Sequence, residues 1–210
     1  KRIKAELSHS EFLGSTKDGK HIYLFDYLDQ SSTIKEIGRL REISFRTVGE
    51  GTGQSADLDK FDQYYRHLVL WDEEQLEIVG AYRIGEINKY IKSGSTHAIY
   101  TEDLFQLSPD MIPYLEQGVE LGRSFVQPKY WGKRSLDYLW YGIGAYLNRH
   151  PEVRYLFGPV SLSNNYPQLA KDLLVYFYSV HFPDTDSLAS SFSPYQISLD
   201  NKNYVTSLIK

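Results

Sequence analysis

Cysteine is absent from this 210-residue chain, which removes disulfide frameworks, thiolate metal sites and cysteine nucleophiles from consideration. It also lacks any apolar run of about 18 residues that would span a bilayer. The opening Lys1-Arg2-Ile3-Lys4-Ala5-Glu6 has no apolar core of a secretion signal. A soluble or peripheral protein is expected, located in the cytoplasm or at the inner face of the membrane, and a chain that opens on lysine is compatible with one piece of a longer polypeptide. Positive charge is in deficit too: 23 Lys and Arg stand against 27 Asp and Glu, a formal charge of -4. That balance argues against nucleic acid as a partner and leaves any anion to be met by a local patch.

With 41% hydrophobic and 24% charged residues, the composition is that of an ordinary globular protein. The length suits one domain over residues 1–210. No internal repeat or low-complexity tract interrupts it. After a polar entry, residues 21–27 read as a first strand, and Thr33 with Glu36 have the spacing of a capping box for a helix that ends near Gly49. A loop with Gly49, Gly51 and Gly53 follows, weak evidence of phosphate binding when taken alone. Residues 68–71 and 77–84 predict an antiparallel hairpin near the middle of a sheet. Residues 88–116 are mixed and polar, with a short helix expected over 101–107. Then come a strand over 118–126, a helix from Leu136 to the Arg149-His150-Pro151 stop, a strand over 155–162 and a helix over 167–180. Closing strands are expected over 192–199 and 204–209. The order predicts an α/β fold with a mixed, mainly antiparallel central sheet flanked by helices.

The segment from Val126 through Gln127, Pro128, Lys129, Tyr130, Trp131, Gly132, Lys133 and Arg134 to Ser135 joins a strand to a helix start, where free backbone amides favour an anion. Lys133 and Arg134 add charge, Ser135 is suited to capping, and Gly132 permits close approach of a backbone. The alternative is an ordinary capped helix with solvated basic residues.

This stretch resembles the acyl-CoA loop of the GNAT superfamily: a strand ending in valine-x-proline, then an aromatic, a glycine and basic residues. Ser135 stands where that loop usually ends in glycine, which weakens the case for ordinary acetyl-CoA as donor. Phe45 to Gly53, Asp57 to Asp62, His67 to Asp72, Ile78 to Arg83 and Glu120 to Val126 together resemble the bacterial ornithine-lipid and glycine-lipid N-acyltransferases, some once labelled hemolysin-like. The resemblance covers roughly residues 20 to 182. It implies no permanently bound cofactor, a fatty acyl donor carried as an acyl carrier protein thioester or as acyl-CoA, a small amino-acid acceptor such as ornithine, and a lyso-aminolipid product. Peripheral membrane contact fits such a product. More distantly, Arg41, Phe45, Asp59, Asp62, Arg83, Glu120 and Arg123 look like the charged framework of acyl-homoserine-lactone synthases. A signal synthase of that type and a noncatalytic GNAT-like binding module are the competing readings.

Glu120 is the first candidate for base or amine orienter, with a structural ion pair to an arginine as the alternative. Arg123, three residues on, faces the opposite side of a regular strand and needs another partner. Arg41 and Arg83 are available to pair with Asp59 and Asp62 or to hold the acceptor's carboxylate. His67 is a proton-relay candidate or a packed residue. Asn164 and Tyr166 lie where GNAT sheets splay, suited to the donor's pantetheine arm and to protonating the leaving thiolate. Val126, Lys129, Trp131, Gly132, Lys133, Arg134 and Ser135 are the donor-loop candidates, and no metal ligands are assigned. Tyr138, Trp140, Tyr141, Tyr176, Phe177 and Tyr178 line an acyl channel or pack the core. Gly142 and Gly144, costly inside a helix, imply close packing.

Overall fold

A strand that is apolar on both faces must be covered on both, and Leu68-Val69-Leu70-Trp71 is such a strand. In the computed structural model, which describes residues 1–91 and 99–208, it lies at the middle of a two-sided core. The elements run α1 (Arg2–Leu7), β1 (Glu11–Ser15), β2 (Lys20–Phe25), α2 (Ser32–Thr47), β3 (Arg66–Asp72), β4 (Glu77–Gly85) and α3 (Ile87–Ile91). They continue as β5 (Phe105–Leu107), α4 (Ile112–Leu115), β6 (Gly118–Val126), α5 (Ser135–Arg149), β7 (Tyr155–Phe157), α6 (Gln168–His181), β8 (Ala189–Ser191) and α7 (Leu199–Leu208). Six strands form one sheet in the order β1-β2-β3-β4-β6-β7, antiparallel except where β6 meets β7. β5 and β8 pair separately.

The two faces of the sheet have separate cores. Ile34, Ile37 and Leu40 of α2 pack with Val69, Trp71, Ile78, Ala81 and Phe125. Leu139, Ile143 and Tyr146 of α5 pack with Ile22, Leu24, Leu68, Leu70 and Val79 on the other side. Each such buried side chain contributes about 1.5–3 kcal/mol of hydrophobic stabilisation. α5 approaches closely because of Gly142, where a Cβ would stand 2.8 Å from Ile22 and 2.9 Å from Leu68. Gly144 faces open space, so the packing reason expected for both glycines applies to one.

Several local expectations are corrected. The polar entry folds into α1 and β1. α2 is capped by Ser31, whose hydroxyl accepts from the Ile34 amide at 3.1 Å, and not by Thr33. Glu6 of α1 instead accepts from the Ser32 and Thr33 amides at 2.9 and 2.8 Å and from the Thr33 hydroxyl at 2.6 Å. A carboxylate at a helix start satisfies orphan amides and complements the dipole, which a local box does no better. The helix expected over 101–107 is a 3-10 turn, Tyr100–Asp103, followed by β5. Part of the polar 88–116 stretch, residues 92–98, lies outside the described residues. The strand expected over 155–162 stops at Phe157, before Gly158-Pro159. Residues 192–199 form no strand, and 204–208 belong to α7, with Ile209 outside the described residues. Tertiary contact decides that last case, because Asn201 donates to the buried carboxylate of Asp172 on α6 at 2.8 Å.

Candidate active site

β6 and β7 pair only from Gly118↔Tyr155 to Glu120↔Phe157. β6 then continues to Val126 while the other chain turns away at Gly158, where a Cβ would fall 2.1 Å from the Leu121 carbonyl oxygen. Only glycine permits that approach. The opened strands leave a cleft of about 1200 Å³ whose walls include Leu121, Val126, Tyr82 and Trp140 on one side and Val160 and Tyr166 on the other.

β6 is not regular along this wall. Arg83 pairs with Gly122 and Ala81 with Phe125, so Tyr82 alone opposes both Arg123 and Ser124. This is a β-bulge, which interrupts the ladder and re-aims side chains. Arg123 takes a left-handed backbone, φ 49°, at a cost of about 1–2 kcal/mol for a residue with a Cβ. The regular-strand expectation that Glu120 and Arg123 face opposite ways therefore does not apply at Arg123.

Beyond Val126 the loop is built from its own side chains. The Gln127 amide donates to the Val79 carbonyl at 2.9 Å and the Trp131 indole to the Val126 carbonyl at 2.6 Å, which pins Trp131 across the strand end. Tyr130 is buried, and its hydroxyl donates toward Asp72 at 3.0 Å and Glu77 at 2.7 Å. Burial and then Glu77 hold that phenol well above its ordinary range. Ser135 does not cap α5. It is the first helical residue and is buried, while Arg134 stands at the cap position without a side-chain cap bond. The three basic residues diverge: Lys129 pairs with Glu77, and Arg134 reaches Asp137 at 3.4 Å and the Tyr141 hydroxyl at 3.0 Å. Lys133 lines a groove of about 360 Å³ with Gly132, Ser135 and Val126, adjoining the larger cleft at Trp131.

Glu120 is buried away from the cleft and has no arginine partner among the described residues. Its oxygens accept from the Tyr65 hydroxyl, the Tyr100 amide at 3.1 Å, and the Thr101 amide and hydroxyl at 2.8 and 2.6 Å. It anchors the 100–101 turn, whose Tyr100 lines the cleft. Nothing in the sequence of the polar 88–116 stretch marks Tyr100 and Thr101 as its partners; Tyr65, too, is first identified by the fold.

The charged framework on the α2 face is a connected network. Arg41 donates to both carboxylate oxygens of Asp62, at 3.1 and 2.9 Å, and to the Asp57 carbonyl. Arg83 donates to Asp59 at 2.7 Å, with Tyr65 and Tyr100 rings 4.8 and 5.3 Å from its guanidinium. Both arginines are 1% exposed, so neither reaches a ligand in the cleft. Burial works to raise the Asp62 carboxyl, but Arg41 and Arg83 outweigh it and hold it at about 2. His67 is buried beneath this network with its Nε2 3.1 Å from the Asp62 carbonyl, and burial pushes the imidazole down to about 4. It is neutral at pH 7 and does not line the cleft. Arg123 lies at the cleft edge of the same network.

The glycine loop binds a carboxylate of its own. Glu42 accepts from the Thr52 hydroxyl at 2.7 Å, the Thr52 amide at 2.9 Å and the Gly53 amide at 2.9 Å, contacts that with Arg46 lower it to about 2. Those amides are taken up without any phosphate. Of the proposed channel residues, Trp140 lines the cleft, Tyr138 is core, and Tyr141, Tyr176, Phe177 and Tyr178 do not line it. Asn164 and Tyr166 stand on its far wall.

Residues 40–141 match the model of the acetyltransferase (GNAT) domain family. The chain is 38% identical to the glycine N(alpha)-acyltransferase of Phocaeicola vulgatus over 95% of its own length and 65% of the relative's. It is 37% identical to the protein of that name from Bacteroides thetaiotaomicron, over 91% and 61%. With the L-ornithine N(alpha)-acyltransferase of Brucella abortus identity is 31%, over 62% and 50%. The chain thus spans less than two thirds of the length of these relatives. No solved structure matches it. The mainly antiparallel sheet splayed beside a strand-loop-helix agrees with the match of residues 40–141 to the GNAT acetyltransferase domain, and the chain resembles bacterial glycine and ornithine N-acyltransferases.

Proposed function

We propose that this chain, as one domain, transfers a fatty acyl group from an acyl carrier protein thioester to the α-amine of a small amino acid, giving a lyso-aminolipid. The observation that carries the reading is the cleft between β6 and β7, with the bulge on one wall and the loop and helix start at one end. A thioester arm entering past Lys133 and Gly132 would have its phosphate near the free amides of α5. Its carbonyl would lie along the bulge, where an interrupted ladder supplies unpaired backbone donors for the developing oxyanion. The neutral amine attacks that carbonyl, the C–N bond forms as C–S breaks, and the proton lost from nitrogen balances the departing thiolate. Tyr166, which lines the cleft, is the candidate to protonate that thiolate. The apolar walls of Leu121, Val126 and Trp140 suit an alkyl chain, and the similarity to glycine and ornithine acyltransferases supports an amino acid over S-adenosylmethionine as acceptor.

Among the described residues, no helix is long and apolar enough to cross a membrane. α6 nevertheless exposes Leu174, Phe177, Tyr178 and Val180, with Phe182 just beyond at 68% exposed. Such a face supports peripheral contact with the bilayer that receives the product. The deciding experiment measures free thiol released from a long-chain acyl carrier thioester. Release is expected only when glycine or ornithine is present. Equal or faster turnover with acetyl-CoA, or release driven only by S-adenosylmethionine, overturns the reading.

A further inference from the structure

The network on the α2 face holds three arginines and three aspartates, Asp57, Asp59 and Asp62, and its three guanidiniums are not equivalent. Arg41 is fully buried and spends its donors on Asp62 and Asp57. Arg83 is fully buried with Tyr65 and Tyr100 rings beside it; its Nε and Nη2 have no hydrogen-bond partner among the described residues, but both are closed to the cleft. Arg123 differs in exposure and in how tightly it is held. Its side chain is 25% exposed, and it is the only lysine or arginine among the described residues that line the cleft. Its contacts within the network are long: Nη2 lies 3.2 Å from Asp59 and Nη1 3.7 Å from Asp57, the second beyond hydrogen-bond range. Its Nε is buried without a hydrogen-bond partner among the described residues, and Asp59 is already engaged by Arg83 at 2.7 Å and by the Phe61 amide at 2.8 Å, so Nη1 is the nitrogen left for a ligand. The guanidinium is steadied at 5.2 Å from the ring of Tyr100, which Glu120 fixes from behind.

A planar cation with Nη1 uncommitted, at the edge of a cleft whose other charged lining residues are Glu50 and Asp103, is suited to a carboxylate or a phosphate, and the acceptor amino acid of the reading above brings a carboxylate. We propose that Arg123 is the specificity-determining residue that holds the carboxylate of the acceptor amino acid. The inference rests on the acyltransferase reading above. It also gives the strained backbone a purpose: φ 49° at Arg123 turns the side chain into the network while Ser124 stays on the cleft wall. One bulge then fixes the anchor for the acceptor and the wall along which the acyl carbonyl lies. Since an amino acid's α-amine is two bonds from its carboxylate carbon, holding the latter limits where the nucleophile can be.

The test compares glycine with glycinamide and ornithine with ornithinamide as acceptors, in the parent and in Arg123→Gln and Arg123→Lys, with acyl carrier thioester as donor. The parent should prefer the acid over its amide. Arg123→Gln should raise KM for the acid about 10- to 100-fold, the range for a lost charge-assisted hydrogen bond, and collapse the acid-to-amide preference. Arg123→Lys, which keeps the charge without the fork, should recover part of that preference and serves if the glutamine variant folds poorly. Three results would overturn the proposal: an unchanged acid-to-amide ratio in a folded variant, a parent that does not distinguish acid from amide, or a rise in KM for the thioester alone, which would assign Arg123 to the donor. Absence of thiol release with every amino acid would overturn the acyltransferase reading and this inference with it, a pattern distinct from the other three.

Discussion

Glu120 accepts four hydrogen bonds from neutral donors, and that decides what its substitution should do. In Glu120→Gln the side chain keeps its size, but its amide nitrogen cannot accept from either set of donors, so a buried amide or hydroxyl loses its partner. The expected cost is about 2–4 kcal/mol, read as a shift of the urea midpoint. A large loss of turnover with little loss of stability is what a base or amine orienter requires, and that outcome would return Glu120 to the chemistry. His67 gives a prediction in pH. An unfolded imidazole takes up its proton near 6.5, whereas the buried one does so only at about 4. Stability is therefore intact above about 6.5 and falls as pH drops towards 4, by about 3 kcal/mol in all. Asp62, lowered to about 2, adds a second loss below its ordinary 3.8. Denaturant titrations between pH 7 and 4 should show the first slope in the parent and lose it in His67→Gln.

Helix α5 carries a paired test of packing against propensity. Gly144→Ala meets open space and should stabilise the chain by about 1 kcal/mol through helix propensity alone. Gly142→Ala puts its Cβ 2.8 Å from Ile22, and overpacking should cancel that gain and lower the melting temperature. From the sequence the two glycines look alike, because what separates them is the strand each one faces. The same physics divides the rest of the fold. The β3–β4 hairpin was legible because Leu68 to Trp71 is apolar on both faces, and α5 because its apolar residues recur at helical spacing. The strand-loop-helix order of β6, the loop after Val126 and α5 was legible from its residue types. The bulge was not, since Arg123 is no glycine and its left-handed backbone is imposed by partners on other elements. Nor were the partners of Glu120, because Tyr65 lies 55 residues away, before β3, and Thr101 lies 19 residues away in a stretch without periodicity. Helix α7 was read as a strand because a short apolar run has no period of its own, and Asp172 decides its conformation.

At the scale of the whole molecule, the proposed donor sets a problem of charge, because an acyl carrier protein is itself acidic and this chain would have to dock it. A formal charge of -4 repels a negatively charged recognition helix at long range, so attraction has to be local. Lys129, Lys133 and Arg134 crowd into six residues at the start of α5 and are the basic patch the sequence offers for it. In the folded chain two of them are already engaged, Lys129 with Glu77 and Arg134 with Asp137 and Tyr141. Lys133 makes no ion pair among the described residues, stands 5.0 Å from the Tyr130 ring and lines the groove at the start of α5. Exposed charges act on encounter and are screened within about 8 Å at physiological salt, so the effect belongs in KM and its salt dependence. Lys133→Glu alone should therefore raise KM for carrier-bound donor at low salt nearly as much as Lys133→Glu combined with Arg134→Glu, and should flatten the salt dependence. Turnover with a short pantetheine thioester should change little, because that donor lacks the carrier's surface. Steady-state kinetics at two ionic strengths measures all of these. A single variant that behaves as the parent while the double variant fails would shift the docking role to Arg134 and show that its bond to Asp137 opens on encounter.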